Sequence, residues 1–160
     1  MGATMTTIEH DATTAWSVRG CFLFARGWLT RFPLSIIQLM MRVGVGLVFF
    51  NAGLLKYRSF EFAVKLFEEE YKVPVLAPAI AARTAMFNEL TWPIFLFLGL
   101  ATRLATLPLL GMITVIQIFV YPSAWPDHVL WGSILIFLLT RGPGALSLDY
   151  LIYRHSEKRQ

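Results

Sequence analysis

Residues 34–55 read LSIIQLMMRVGVGLVFFNAGLL, a run in which Arg42 is the only charged side chain. A hydrocarbon core of ~30 Å needs roughly 20 apolar helical residues to cross it. The run therefore predicts a membrane-spanning helix. Working outward, residues 78–100, 104–121 and 125–140 are three further apolar segments. Within all four, only Arg42, Arg83, Glu89, Asp127 and His128 can carry a charge. Arg42 and Glu89 lie deepest. The pattern predicts an all-α, four-helix transmembrane bundle, and charges buried in such a bundle are the first place to look for function.

Composition agrees. Hydrophobic residues make up 56% of the chain and mean hydropathy is +0.59, too apolar for an ordinary soluble domain. The single Cys, Cys21, excludes an intrachain disulfide and a CxxC redox pair. The net charge of +4 suits anionic lipid, and nothing points to nucleic acid. The chain reads as a tail and N-terminal interfacial helix over residues 1–33, a membrane domain over residues 34–152, and a basic tail over residues 153–160. Residues 15–32 mix Trp16, Phe22, Leu23, Phe24, Trp28 and Phe32 with Arg19, Arg26 and Arg31. That mixture fits a helix lying on an anionic leaflet. It does not fit a signal peptide, because arginines break the apolar run and no small-residue cleavage site follows.

Lys and Arg set the orientation. Four spans put both termini on one side, with Arg19, Arg26, Arg31, Arg103, Arg141, Arg154, Lys158 and Arg159. The other side holds Lys56, Arg58, Lys65, Lys72 and Arg83, diluted by Glu61, Glu68, Glu69 and Glu70. Eight against five favours cytoplasmic termini. Spans two and three are joined by residues 101–103, and spans three and four by residues 122–124, so both pairs are tight hairpins. The first connection, residues 56–77, is long. Phe60, Val64, Phe67 and Tyr71 recur there at helical spacing, which predicts an amphipathic outer helix over residues 59–71. Pro74 ends it and Pro78 starts the next span. The last span is short, about 24 Å of helical rise, and the tail after Gly142-Pro143-Gly144 is apolar enough to return to the inner surface.

At 100° per residue, Gln38, Arg42, Gly46, Phe49, Gly53 and Lys56 share one face of the first span. Small residues there let helices approach closely. Glu89 is the expected ion-pair partner of Arg42, because both are deep and both sit on small-residue faces. The third span is expected to place Arg103, Thr106, Gln117 and Tyr121 near one face, with Thr114 adjacent. Lys56, Glu89, Gln117, Tyr121 and His128 then converge toward the outer end as ligand-binding candidates. Arg103, Arg141 and Asp149 form an inner-side charge lattice. Packing glycines, a structural ion pair, an interfacial histidine and an aromatic belt account for the same residues without further function. One His and scattered Met40, Met41, Met86 and Met112 make no spaced metal-ligand set. No phosphate loop, nucleophile–base pair or carboxylate pair is present to mark a catalytic residue, and no inverted repeat marks a transporter.

Arg42-Val43-Gly44 through Gly53-Leu54-Leu55-Lys56 resembles the first-span signature of the DoxX family. So do Asn88-Glu89-Leu90 followed by residues 98–103, and the closing residues 142–149. The resemblance covers about residues 34–152. Residues 66–74 and Tyr121-Pro122, with Trp125, His128 and Trp131, resemble more narrowly the DoxX-type proteins of copper-responsive gene clusters. The resemblance implies a bacterial inner-membrane protein with four helices. Arg42, Lys56, Glu89, Arg103 and Asp149 match the family's polar positions, without an implied chemical role. Two function classes compete. One is a non-enzymatic accessory in redox or metal stress that docks a redox or metal-handling partner. The other is a quinone-binding membrane subunit of an oxidoreductase complex, with His128 and Gln117 as hydrogen-bond donors and Glu89 handling the proton. No cofactor is required, quinone is the one candidate, and self-association stays open.

Overall fold

The computed structural model describes residues 18–72, 74 and 76–158. Among the described residues there are seven α-helices and no strand. They are α1 (Val18–Thr30), α2 (Leu34–Arg58), α3 (Phe60–Leu66), α4 (Pro78–Leu98), α5 (Thr102–Val115), α6 (Trp125–Arg141) and α7 (Leu148–Glu157). The π-helical turn Phe67–Tyr71 follows α3 and another, Ile116–Val120, follows α5. The chain divides into two units, Met1–Pro33 and Leu34–Gln160. The first contains α1, which exposes Phe22, Leu23, Phe24, Trp28 and Leu29 and carries Arg19 and Arg26. The helix expected over residues 15–32 is thus present from Val18 on, and residues 15–17 lie outside the described residues.

In the second unit α2 packs most extensively on α4, α5 packs on α6 and α4, and α2 also meets α6. Val45, Phe49, Leu96, Ala105, Leu109, Ile113, Leu135 and Leu138 form the apolar core. The buried residues of α2 are Gln38, Arg42, Val45, Gly46, Phe49 and Gly53. That is the face expected from 100° spacing, with Lys56 half-buried at its end. Pro78 opens α4 at its first turn, where a missing N–H costs nothing. The chain turns from α4 to α5 through Gly99 (φ 65°) and Ala101 (φ 45°). Phe60, Val64, Phe67 and Tyr71 of the α3 segment cluster with Ala81, Ala82 and Ala85 of α4. The amphipathic helix expected over residues 59–71 forms with that face inward, although its last turn is π-helical and Lys72 ends it in a left-handed conformation.

Two helices are long and apolar enough to cross a membrane by length and composition, Leu34–Arg58 and the continuous Thr102–Val120. The expectation was four. α6 has 17 residues, and α4 interrupts its apolar run with Arg83, Asn88 and Glu89. The tail also differs from expectation, because α7 runs across the boundary drawn at residue 153. Ser147 caps it by accepting from the Tyr150 amide at 3.2 Å.

Beside its apolar core, the bundle buries polar groups and exposes large apolar side chains. Fully or nearly buried residues include Arg42, Gln38, Glu89, Thr102, Thr106, His128 and Ser147. Large apolar side chains face outward instead, among them Leu47, Ile80, Phe87, Ile94, Leu104, Leu107, Ile118, Val129, Leu130 and Ile136. Apolar side chains outward and buried polar groups suit hydrocarbon as a solvent.

Candidate functional site

Close approaches between α2 and α4 decide which charges meet. A Cβ on Gly53 would stand 2.8 Å from the Glu89 Cβ, and one on Gly46 would stand 2.5 Å from the Phe97 ring. Only glycine fits at position 53, so the Glu89 backbone lies directly against α2. Farther along the same antiparallel pair, Gly99 lies against the Arg42 guanidinium, and its positive φ also favours glycine. Arg42 is therefore level with Gly99, while Glu89 is level with Gly53, about 16 Å of helical rise away.

The expected Arg42–Glu89 ion pair does not form for that reason. Glu89 Oε1 accepts instead from Lys56 Nζ at 2.8 Å, the one ion pair among the described residues. Arg42 bonds carbonyls instead, donating from Nη1 to Leu96 O at 3.2 Å and from Nη2 to Leu146 O, while its buried Nε has no partner. Equal depth for the two residues requires the inner ends of the two apolar runs to be level. In the structure the segment after α6 folds back against the first turns of α2. Gln38 Nε2 donates to Gly142 O at 3.1 Å, and Ser35 Oγ accepts from the Ala145 amide at 3.2 Å. That return segment occupies the level that the sequence assigned to the end of α4.

The Glu89 end carries an incomplete polar cluster. Glu89 is 4% exposed, yet its Oε2 has no hydrogen-bond partner. Such an atom normally finds one, because burial without a partner costs roughly 1–3 kcal/mol. Nearby, the Tyr121 hydroxyl donates to Glu70 Oε1 at 3.3 Å and lies 3.3 Å from the Tyr71 hydroxyl. The two rings meet edge to face at 5.8 Å. Burial first, then the Tyr121 contact and the charges of Glu70 and Glu89, push the Tyr71 hydroxyl well above the ordinary tyrosine range. Helical spacing marks Tyr71 only as a packing residue; its polar contact has no one-dimensional signal, because it depends on Tyr121 arriving from the far end of α5.

Gln117 and His128 meet across the α5–α6 hairpin. Gln117 Nε2 donates to Pro122 O at 2.8 Å, and its Oε1 lies 2.5 Å from His128 Nδ1. With the amide oxygen accepting, Nδ1 carries the hydrogen and Nε2 is the imidazole's remaining position. The His128 ring lies 5.6 Å from Trp131, which meets Phe49 at 6.3 Å. Lys56–Glu89 and Gln117–His128 are thus two separate pairs at one end of the bundle, with Tyr71–Tyr121 a third. The expected face of α5 is only partly right. Thr106 is buried, but Arg103, Thr114 and Tyr121 are exposed. For Tyr121 a steady 100° count drifts at the π turn Ile116–Val120, where each turn takes more residues; Arg103 and Thr114 precede that turn.

The other end holds Arg103, Arg141 and Asp149. They do not form a charge lattice. Asp149 accepts from the Ala101 and Thr102 amides at 2.7 and 3.0 Å, capping the first turn of α5. Arg103 reaches the Thr140 carbonyl at 3.5 Å. All three line one open cleft of about 750 Å³. Among the described residues no group of three or more His, Cys, Asp and Glu is placed to hold a metal ion.

Comparison with known proteins gives a family match. The DoxX family model covers residues 37–122, from the first turns of α2 through the turn before α6. That range contains Arg42, Lys56, Glu89, Arg103, Gln117 and Tyr121. It leaves His128, Arg141 and Asp149 outside. A Haemophilus influenzae protein described as "Uncharacterized protein" is 29% identical over 128 residues, 74% of this chain and 84% of the relative. No solved structure matches.

Proposed function

The chain belongs to the DoxX family, and from that premise we propose that it is a four-span bacterial inner-membrane protein with cytoplasmic termini, acting as an accessory in redox or metal (copper) stress. Family membership and the apolar helices make it a membrane protein. Four spans are supported by the outward apolar surface, which α4 and α6 share with α2 and α5. The eight-to-five Lys and Arg asymmetry supports the orientation. The α1 helix then lies on the inner leaflet through its exposed aromatic residues.

The functional end is the one carrying Lys56, Glu89, Gln117, Tyr121 and His128. One observation carries this: a carboxylate buried to 4% exposure keeps one oxygen paired with Lys56 and the other unpartnered. Arg42 Nε and Thr102 Oγ1 are also buried without partners, and Glu89 Oε2 is the one carboxylate oxygen among the three. A spare acceptor is what a site needs to take a proton or a donor from a partner or ligand. The residues themselves supply an ion pair, an amide, an imidazole and two phenols. They hold and move protons but carry no electrons, so a redox role needs a redox-active partner or cofactor. The quinone-subunit reading has its own support in the His128–Gln117 pair beside the Trp131 ring, a polar edge next to an aromatic face.

Two experiments test the proposal. Reporter fusions after Gln160 and within residues 61–71 read topology; a C-terminal reporter active outside overturns it. His128→Ala and Glu89→Gln variants of normal membrane abundance are expected to lose tolerance to copper or oxidant in a deletion strain. Full complementation by both overturns the assignment of that end. Quinone co-purifying with the native protein and lost in His128→Ala favours the subunit reading over the accessory one.

A further inference from the structure

The cleft at the opposite end is not used by that reading, and its lining is mixed in a particular way. Arg103 and Arg141 supply its cations. No carboxylate among the described residues pairs with either of them. Asp149, the acid in the cleft, has both oxygens committed to the Ala101 and Thr102 amides. Arg103 lies over Gly142, where even a Cβ would come within 3.7 Å of the guanidinium. The rest of the wall is largely apolar, including Leu34, Leu104, Pro143 and Ala145, with Tyr150 and Tyr153 on the α7 side. Leu34 and Leu104 continue outward as exposed apolar surface, and so do Leu148, Leu151 and Ile152 on α7.

From this geometry we infer that the cleft between α2, the start of α5, the end of α6 and α7 binds the headgroup phosphate of an anionic glycerophospholipid. Arg103 and Arg141 take the phosphate, and the acyl chains lie along Leu34 and Leu104. Guanidinium groups suit phosphate because their paired N–H groups match two of its oxygens. A soluble anion would use the arginines and leave the apolar walls idle. A lipid uses both, and basic pockets between helices on the cytoplasmic side suit such headgroups. The cleft is built largely by the Gly142–Ala145 return segment, which Gln38 and Ser35 hold in place. The inference rests on the membrane reading above, but not on the stress role or the polar cluster at the other end.

The test uses the full chain purified in a neutral detergent after membrane fractionation, which checks the membrane reading first. Absence from the membrane fraction overturns that reading and this inference with it. With membrane-derived protein, short-chain phosphatidylglycerol, short-chain phosphatidylcholine and inorganic phosphate are titrated at one ionic strength. Saturable binding is expected for phosphatidylglycerol, at least tenfold tighter than for phosphatidylcholine, with no competition from millimolar phosphate. Arg103→Gln with Arg141→Gln should weaken it by about tenfold or more, taking roughly 1 kcal/mol per cation near the surface. Arg103→Lys with Arg141→Lys keeps the charge and should retain most binding, which guards against a folding artefact. Arg154→Gln with Lys158→Gln should change it less than about threefold. Equal binding of the two lipids overturns the inference, and so does displacement by inorganic phosphate. An equal loss in the tail variant makes the effect diffuse charge and also overturns it.

Discussion

Arg42 and Lys56 stand on one face of α2, about 21 Å of helical rise apart, and are bonded in different ways. Arg42 is fully buried and bonds the carbonyls of Leu96 and Leu146, two chain segments that end beside it. It ties α2 to the end of α4 and to the return segment after α6. Lys56 is 18% exposed at its side chain and meets a carboxylate that remains half-satisfied. One cation holds backbone carbonyls; the other pairs with a buried carboxylate. Each end keeps a buried polar atom without a partner, Arg42 Nε at one and Glu89 Oε2 at the other. What differs is the kind of group that packing brings beside each cation.

That contrast can be broken most directly at Arg42. Arg42→Ala removes the largest fully buried side chain and the side-chain donor to Leu146 O, while Leu96 O keeps the Gly99 amide, so a loss of about 3–5 kcal/mol is expected by thermal or denaturant unfolding in detergent. A loss below about 1 kcal/mol would remove Arg42 from its structural role. Next is Lys56→Met, which leaves the buried Glu89 carboxylate without its partner and should cost roughly 1–3 kcal/mol. The partial exposure of Lys56 places it toward the lower end. Adding Glu89→Gln should recover most of that loss; additive losses in the double variant mean that the two side chains are not coupled.

Gly53→Ala sharpens the comparison from the backbone side. The new methyl meets the Glu89 Cβ at 2.8 Å, so α2 and α4 must part. Overpacking of about 1–3 kcal/mol is opposed by up to ~1 kcal/mol of improved helix propensity. A net loss of about 1 kcal/mol is expected, and a stabilised variant would mean that the helices are not in contact there. The smallest effect is expected from Asp149→Asn. One amide acceptor remains while the charge is lost from the first turn of α5, so about 1 kcal/mol should go. A cost matching that of Arg42→Ala would show that Asp149 is the true partner of the buried guanidinium.

Periodicity made the buried face of α2 legible, because a regular helix repeats its orientation every 3.6 residues over its whole length. The inward face of the α3 segment was legible for the same reason, as was Pro78 at the start of α4. Register was not. Pairing Arg42 with Glu89 needed the relative height of two antiparallel helices, which follows from how the 142–147 segment folds back beneath α4. Nor did spacing reveal that Asp149 caps α5, since the two are 47 residues apart in the chain. The phase of α5 near Tyr121 was lost to a π turn that no residue in Ile116–Val120 announces.

The sequence by itself determined helical class, family, the inward stripe of α2 and the set of polar residues that a membrane core has to accommodate. These follow from composition and local period, which each segment carries alone. Only the tertiary structure decided which of those polar groups meet. It joined Lys56 to Glu89, gave Arg42 to carbonyls, and turned a supposed charge lattice into a cleft. Contacts between helices depend on their offset along the bundle. That offset is set by close packing at glycines and by the return of the chain, neither of which is encoded within a single helix.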